Sequence, residues 1–153
     1  MITLRQADIS DLSSIQELND EVFVDNRKYD ADLDLNWAQG SEGHKYFSQL
    51  LQNPEALCLI AEDDGKKIGY IAGSPKVFSY RMSKYAELEN MGVTPEYRSQ
   101  GVGSMLIDKF FEWAKKKGLD KVYLSAYSAN TGALAFYKKK GLVEIDVSLE
   151  KEL

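Results

Sequence analysis

Residues 93–104 read VTPEYRSQGVGS and join a strand-like run to a helical one. Residues 84–94, KYAELENMGVT, alternate between apolar and polar side chains, which is typical of a strand. Residues 101–117 predict a helix, because their apolar side chains recur at intervals of three and four: Val102, Leu106, Phe110 and Trp113. Arg98, Gly101 and Gly103 therefore lie where a strand turns into a helix.

This junction has the composition of an anion-binding site. The first N–H groups of a helix have no partner within it, and the helix dipole adds roughly half a positive charge there. Gly101 and Gly103 let the backbone approach a ligand closely, and the guanidinium of Arg98 suits phosphate. The stretch predicts a phosphate or pyrophosphate site, and the alternative is an ordinary glycine-containing turn.

Two other phosphate motifs do not fit. The dinucleotide fingerprint GxGxxG requires a third glycine where GVGSML (101–106) has Leu106. The chain also contains no GxxxxGK followed by Ser or Thr. The junction therefore belongs to neither of these nucleotide-binding classes.

The rest of the chain predicts a mixture of strands and helices. Three segments resemble strands: ITLRQA (2–7), ALCLIAE (56–62) and KIGYIAGS (67–74), the last two joined by the hairpin turn DDGK. The other assignments are a helix after Asp8 or Ser10 with apolar residues Leu12, Ile15, Leu18 and Val22, a loop over 25–42, a helix over 44–52, a strand over 121–127 (KVYLSAY), a helix over 130–140 (NTGALAFYKKK) and a final strand or hairpin remnant over 142–153 (LVEIDVSLEKEL).

Length and composition indicate an ordinary globular protein. A chain of 153 residues suits one domain, 1–153, that buries roughly 68–70% of its unfolded surface. The single cysteine, Cys58, excludes an intrachain disulfide and suits a buried position. No signal-peptide pattern and no apolar stretch of roughly 20 residues is present, so we expect a cytoplasmic protein without a membrane partner.

Charge is distributed unevenly along the chain. Residues 1–97 hold 9 basic and 17 acidic side chains, a net charge of −8. Residues 98–141 hold 9 basic and 3 acidic side chains, a net charge of +6. This asymmetry suggests two ligands of opposite charge, although charged runs also simply solvate surfaces.

RSQGVG (98–103) matches the [RQ]-x-x-G-x-[GA] signature of the GNAT superfamily, the acetyl-CoA-dependent N-acetyltransferases. NTGALAFYKKKG (130–141) is similar to the N-x-x-A-x-x-x-Y-x-x-x-G segment of that family. The order of elements resembles the family over nearly the whole chain. The resemblance implies an α+β protein with α/β/α layers: about four helices and a mixed, mostly antiparallel sheet of six to seven strands, splayed between the fourth and fifth.

The resemblance also implies how CoA binds. In the family, the pyrophosphate lies on the amides of the signature loop, which here are Arg98, Ser99, Gln100, Gly101, Val102, Gly103 and Ser104. The pantetheine arm pairs like an extra strand with Met91, Gly92 and Val93, and Gly92 suits a bulge or splay there. Asn130 matches a position that often contacts CoA, and it equally suits a helix cap.

Acetyl transfer to an amine requires a base and an acid. A lysine-like amine has a pKa near 10.4, so its deprotonation at pH 7 costs about 4–5 kcal/mol. The resemblance implies a glutamate base, acting directly or through water, from the strand before the signature. Glu87 and Glu89 lie there, two residues apart and so on one face; Glu87 matches the glutamate of some protein-acetylating members, and Glu89 is as plausible geometrically. Tyr137 matches the tyrosine general acid of the family, and it also suits a core aromatic position.

The region that shapes the acceptor site in the family is acidic and aromatic in this chain. The candidate acceptor-binding residues are Tyr29, Asp32, Asp34, Trp37 and Tyr80. Such groups suit a cationic amine, through charge and cation–π contact. A polyamine, an aminoglycoside, a lysine side chain or an amine metabolite is expected, and the alternative is a merely solvated acidic loop.

Other functions remain open at this point. A non-catalytic acetyl-CoA-binding regulatory module would keep the loop without needing Tyr137 or the glutamates. Nucleic acid is disfavoured, because the net charge is −5 and the lysine clusters lie near predicted helix ends. With His44 as the only histidine, we expect neither a metal site nor a histidine triad. The expected partner is a small-molecule or protein amine, and the resemblance leaves a homodimer open.

Overall fold

A computed structural model describes all 153 residues. The strands β1 to β5 are Ile2–Gln6, Leu57–Asp63, Lys66–Lys76, Tyr85–Val93 and Lys121–Tyr123. The α-helices α1 to α4 are Leu12–Asn26, Ser41–Gln52, Val102–Lys116 and Thr131–Lys139. Short 3-10 turns, Ile9–Asp11 and Pro95–Tyr97, precede α1 and follow β4. None of the helices combines the length and the apolar character that crossing a bilayer requires.

The strands form one mixed sheet in the order β1-β2-β3-β4-β5. The first four strands pair antiparallel with their neighbours. β5 pairs parallel with β4, but only between Tyr85–Glu87 and Lys121–Tyr123. The two strands have no ladder beyond Glu87, so the predicted splay between the fourth and fifth strands is confirmed.

Helices cover both faces of this sheet. α1 and α2 pack on one apolar cluster that includes Phe47 and Tyr70, whereas α3 packs on a second that includes Ile71 and Phe110. Tyr70 and Ile71 are consecutive in β3 and point to opposite clusters, as the pleat of a strand requires. α4 packs against the second cluster through Phe136. The α/β/α layering is therefore confirmed.

The sheet has five strands, so the expectation of six to seven strands was wrong. β5 ends at Tyr123 instead of Tyr127, because its neighbour β4 has separated from it by then. LVEIDVSLEKEL (142–153) alternates like a strand but joins no ladder. α2 starts at Ser41, earlier than predicted, where Gly40 supplies the extended backbone that precedes a helix.

A capping network fixes the 3-10 turn Ile9–Asp11 that leads into α1. The carboxylate of Asp8 accepts from the Ser10 N–H at 2.8 Å, and that of Asp11 accepts from the Asp8 N–H at 2.9 Å. Asp11 is buried and also binds both terminal nitrogens of Arg5 at 2.8 Å and Lys67 Nζ at 3.1 Å. The Arg5 guanidinium holds the pKa of the Asp11 carboxyl far below its usual range. The network ties the helix start to the sheet.

β4 contains one extra residue. Ala72 of β3 pairs with Asn90, and the next residue of β3 pairs with Leu88, so Glu89 has no partner in the ladder. This is a β-bulge, which re-aims side chains along the strand. The consecutive residues Glu89 and Asn90 both hydrogen-bond the hydroxyl of Tyr46 on α2. The bulge therefore turns two neighbouring polar groups toward the same helix.

Gly92 lies farther along β4, where α1 approaches the sheet closely. A Cβ at this position would lie 2.5 Å from Cγ2 of Val22 and 3.2 Å from a ring carbon of Tyr70. The glycine is needed for this helix-to-sheet contact. The bulge that the sequence associates with Gly92 lies instead at Glu89.

Candidate active site

The junction singled out in the sequence is a helix start with unpaired amides. Ser99 and Gly101, just before α3, have left-handed backbones with φ of 60° and 86°. No side chain caps α3, and the N–H groups of Val102, Gly103 and Ser104 donate to no other group of the protein. Unpaired N–H groups at the positive end of a helix dipole are the donors that an anion requires.

Contacts within the protein hold the loop before α3 in shape. Arg98 donates from Nε to the carbonyl of Val93 at 2.8 Å and pairs with the carboxylate of Asp25 on α1. Gln100 donates from Nε2 to the carbonyl of Glu96 at 2.8 Å. Arg98 thus braces the loop against α1 and the end of β4. The exposed donors of the loop are mainly its backbone amides.

The edge of β4 beside this loop is open. Met91, Gly92 and Val93 pair with β3 on one side, whereas β5 has separated from them on the other. Apart from the Val93 carbonyl, the backbone groups that point away from β3 are available to an extended ligand. Because the open edge runs into the loop, an extended ligand with an anionic end can lie along both.

A cleft of about 360 Å³ lies farther back on β4. Its lining combines aromatic rings with carboxylate and amide groups: Phe23, Trp37, Tyr46, Glu87, Leu88, Glu89, Asn90 and Ser125. Since a strand rises about 3.3 Å per residue, Glu87 and Val93 lie about 20 Å apart. An extended ligand anchored on the loop can reach the cleft along the open edge of β4.

Two hydroxyl groups hold Glu89. Tyr46 donates to one carboxylate oxygen at 3.0 Å, and Ser74 donates to the other at 2.7 Å. The Tyr46 oxygen accepts from Asn90 at 3.0 Å, and Asn90 accepts from the buried Asn19 at 3.1 Å. Burial and the neighbouring Glu89 carboxylate raise the pKa of Tyr46, so its phenol remains a donor. Both oxygens of Glu89 are therefore engaged.

Glu87 faces the same cleft without a hydrogen bond or ion pair to the protein. Burial raises the pKa of its carboxyl group, Lys76 opposes that rise, and Glu89 adds to it. Both glutamates line the cleft, as their spacing predicts. They belong to no metal-binding group, since no three His, Cys, Asp or Glu side chains of the chain converge in a way that could hold a metal ion. Glu87 is the carboxylate with free oxygens.

Tyr137 lies on α4, and Asn130 is the residue that precedes and caps that helix. Tyr137 packs partly buried against the second core cluster, and this burial raises the pKa of its phenol. Its hydroxyl makes no hydrogen bond to the protein. Oδ1 of Asn130 accepts from the Ala133 N–H at 3.1 Å, so the residue does cap its helix.

Only one of the acceptor-binding residues predicted from the sequence, Trp37, lines the cleft. Tyr29 lines a separate groove, and Tyr80 is 77% exposed. Asp32 and Asp34 are exposed on the loop between α1 and α2, where Asp34 accepts a local hydrogen bond that closes a turn. Because the loop turns its acids toward solvent, the structure does not bring these five side chains together.

The sequence reasoning missed five lining residues: Phe23, Tyr46, Leu88, Asn90 and Ser125. Phe23 and Tyr46 lie on helices. An aromatic side chain on a predicted helix is normally assigned to the hydrophobic core, so neither residue was predicted to line a site. Asn90 reaches the cleft because of the bulge at Glu89. One signal was available, since the adjacent polar residues Glu89 and Asn90 interrupt the alternation of the strand.

Comparison with known sequences gives a family match over most of the chain. Residues 14–142 match the sequence profile of the acetyltransferase (GNAT) family. An uncharacterized N-acetyltransferase of Methanocaldococcus jannaschii is 31% identical over 146 residues, which cover 95% of this chain and 62% of the relative. The chain thus spans less than two thirds of the length of that relative.

Solved structures share the fold at low sequence identity. A mutant of the BH1408 protein of Bacillus halodurans has a TM-score of 0.86 at 19% identity, over 99% of both chains. The aminoglycoside N-acetyltransferase AAC(6')-Iy, in complex with the bisubstrate analogue CoA-S-monomethyl-acetylneamine, has a TM-score of 0.75 at 20% identity, over 100% of this chain and 98% of the other. These likenesses support the observed architecture.

Proposed function

Because the chain belongs to the acetyltransferase (GNAT) family, we propose that it transfers the acetyl group of acetyl-CoA to the nitrogen of a cationic primary amine. One observation carries the proposal: β4 borders the open edge and the unpaired amides at one end and the Glu87 cleft at the other. A single strand thus aligns a site for an anionic, extended ligand with a site for a cation.

The chain binds CoA mainly through its backbone. The amides from Arg98 to Ser104 contact the diphosphate, and the open edge at Met91–Val93 pairs with the pantetheine arm. The unpaired N–H groups at the start of α3 support this placement, as does the absence of a neighbouring strand beside the edge. Arg98 serves chiefly to hold the loop through Asp25. Asn130 combines its helix cap with a contact to CoA.

Acetyl-CoA supplies an acetyl group activated as a thioester, so transfer forms a C–N bond and breaks a C–S bond. The attacking amine must lose a proton, and the CoA sulfur must gain one. We assign the first task to Glu87, directly or through a water molecule, because its oxygens are free and its pKa is raised toward neutrality. We assign the second to Tyr137, whose unpaired hydroxyl keeps its proton because burial raises its pKa.

The cleft suits a cationic acceptor. Glu87 and Glu89 supply negative charge, and the rings of Phe23, Trp37 and Tyr46 supply faces for cation–π contact. A volume of about 360 Å³ accommodates a small amine or the end of a lysine side chain. The neighbour AAC(6')-Iy, which binds an analogue that joins CoA to an acetylated neamine, supports an acceptor with several amino groups.

A turnover assay with acetyl-CoA tests the proposal across spermidine, neamine, free lysine and a lysine-containing peptide. The control is the shift in melting temperature that CoA alone produces, because a ligand that binds only the native state raises it. We expect CoA to raise the melting temperature and at least one cationic amine to be acetylated. Stabilisation by CoA without turnover of any amine would favour the regulatory module, and no stabilisation would refute the CoA site itself.

A further inference from the structure

Three basic side chains surround Tyr85 at the start of β4. Lys76 of β3 and Lys121 of β5 are the ladder partners of Tyr85 on its two sides, so the three residues share one face of the sheet. Arg81, on the loop between β3 and β4, donates from a terminal nitrogen to the Tyr85 hydroxyl at 3.3 Å. Lys76, Arg81 and Lys121 are here called the basic cluster. None of the three forms an ion pair within the protein.

Aromatic rings hold the guanidinium of Arg81 in place. Its central carbon lies 4.9 Å from the ring centre of Phe78, 5.5 Å from that of Tyr85 and 5.9 Å from that of Tyr80. Phe78 in turn packs edge-on against Tyr85 and Tyr123, at 5.0 and 5.1 Å between ring centres. A guanidinium carries several N–H donors, and only the one directed at Tyr85 is used by another side chain. The rings therefore fix a cation whose remaining donors are free to bind an anion.

The basic cluster adjoins the cleft that holds Glu87. Tyr85 and Glu87 are two residues apart on β4, so their side chains share a face and lie about 7 Å apart along the strand. Burial raises the pKa of the Glu87 carboxyl, and the charge of Lys76 opposes that rise, so Lys76 lies within electrostatic reach of the cleft. Ser125 lines both the cleft and the groove beside β5 that Arg81 lines. A free carboxylate and free cations are therefore neighbours on one face of the sheet.

The basic cluster lies at the opposite end of β4 from the loop that carries the unpaired amides. β4 runs from Tyr85 to Val93, a distance of about 26 Å at the usual rise of a strand. The Glu87 cleft lies between the two ends. A diphosphate bound on the loop is therefore too far away to neutralise the cluster. An anion bound at the cluster comes from the ligand that occupies the cleft, which is the acceptor.

We propose, on the basis of the acetyl transfer proposed above, that the acceptor carries a carboxylate as well as its amine. The amine lies at Glu87, and the carboxylate binds Arg81, while Lys76 and Lys121 add positive charge around it. The planar fork of a guanidinium matches the two oxygens of a carboxylate. The spacing of about 7 Å along β4 is comparable to an extended lysine side chain. An amino acid with a side-chain amine fits both sites, whereas a polyamine, which offers only cations, leaves the basic cluster unused.

Acetyl transfer to Nα-acetyl-lysine and to Nα-acetyl-lysinamide tests this specificity, because the two compounds differ only in the carboxylate. We expect the wild type to have an acceptor KM about fivefold lower for the carboxylate, the scale of a partly exposed ion pair. Arg81→Gln should lose this preference and keep the wild-type KM for the amide, which would detect general damage to the fold. The matched control Lys84→Gln removes a charge from the same loop, outside the basic cluster, and should keep the preference.

Calorimetric titration in the presence of CoA separates the carboxylate site from the transferase activity. The wild type should bind Nα-acetyl-lysine about fivefold more tightly than the amide, and Arg81→Gln should bind the two alike, whether or not acetyl transfer occurs. Turnover of both compounds with equal KM would overturn the carboxylate site and leave the transferase proposal standing. No turnover, together with a binding preference that depends on Arg81, would do the reverse. Binding of neither compound, or a preference that survives in Arg81→Gln, would also refute the carboxylate site.

Discussion

At the scale of single residues, Glu87 and Glu89 differ in their partners more than in their position. Both line the cleft, but Glu89 accepts hydrogen bonds from Tyr46 and Ser74, whereas Glu87 accepts none. A base needs a lone pair that is free to take a proton, and a raised pKa brings it nearer the working pH. The geometry therefore favours Glu87 as the base and Glu89 as a fixed negative charge, a choice that the spacing of the residues alone left open.

Glu87→Gln should lower kcat/KM about 100-fold or more, the usual contribution of a general base. In the wild type, kcat/KM should fall as pH drops below the raised pKa of Glu87, so this acid limb lies above the ordinary glutamate value of about 4.3. The variant should lack the limb. The comparison is Glu89→Gln, which should retain it, and the reverse result would assign the base to Glu89.

Tyr137→Phe removes the unpaired hydroxyl and keeps the ring that packs in the core. If Tyr137 protonates the CoA sulfur, turnover should fall about 100-fold, whereas CoA should still raise the melting temperature as it does for the wild type. Melting curves with CoA and steady-state rates measure the two effects separately. Unchanged turnover would leave the tyrosine with only its packing role.

At the scale of elements, the start of α3 depends on a glycine backbone. Gly101 and Gly118 bracket the helix, with φ of 86° and 75°, and a Cβ at either would meet nothing within 4 Å. Alanine at either position should therefore cost about 1–2 kcal/mol of stability through backbone strain alone. Only Gly101→Ala should also weaken CoA binding, because only that glycine adjoins the unpaired amides. Urea unfolding and CoA titration test this pair, and equal CoA affinity in the two variants would contradict it.

The buried carboxylate of Asp11 should make stability depend on pH. Its pKa is lowered in the folded protein, so its contribution is fully present above the unfolded value of about 3.9 and is lost as pH falls toward the folded value. Asp11→Asn should reduce the free energy of unfolding by about 2–3 kcal/mol at neutral pH, because Arg5 and Lys67 lose a charged partner. Urea melts should show the two proteins converging below pH 4. A constant difference down to pH 3 would argue against this origin.

Local sequence determines some elements far better than others. The α3 junction was predictable because Arg98, Gly101 and Gly103 lie directly before or within the first turn of a segment with clear helical periodicity. The bulge at Glu89 was not predicted, since its position depends on which residues of β3 lie opposite. The shortness of β5 was not predictable either: KVYLSAY has the composition of a strand, but a strand exists only where a neighbour provides a ladder.

At the scale of the whole molecule, charge follows the two proposed ligands. The cleft takes its glutamates from residues 1–97, with a net charge of −8, and the loop before α3 opens the segment 98–141, with a net charge of +6. The exposed acids Asp32 and Asp34 lie outside the cleft, whereas Trp37 lines it. Under the proposed function, the two aspartates would therefore act on the acceptor only through their electrostatic field, and Trp37 would act by direct contact.

The exposed aspartates and the cleft-lining tryptophan should therefore differ in how the effect of their substitution on the acceptor KM depends on salt. The double variant Asp32→Asn, Asp34→Asn should raise the acceptor KM at low salt and lose that effect at high salt, because exposed charges are screened beyond about 8–10 Å. Trp37→Ala should raise it about fivefold at any salt, the equivalent of a cation–π contact of roughly 1 kcal/mol. Neither change should alter the KM for acetyl-CoA. If the acceptor KM of the aspartate variant differs from the wild-type value by the same factor at low and high salt, the two aspartates do not attract the acceptor through their charge.

The bulge in β4 also bears on how the chain can change without losing its shape. Deleting Glu89 would let Asn90 follow Leu88 directly, and every other side chain of β4 would keep the face of the sheet that it has now. The register of the sheet alone therefore gives no reason to retain this residue. Its loss in a related sequence would leave the ladder of β4 intact, but it would remove the carboxylate that accepts from Tyr46 and Ser74 and so alter the cleft.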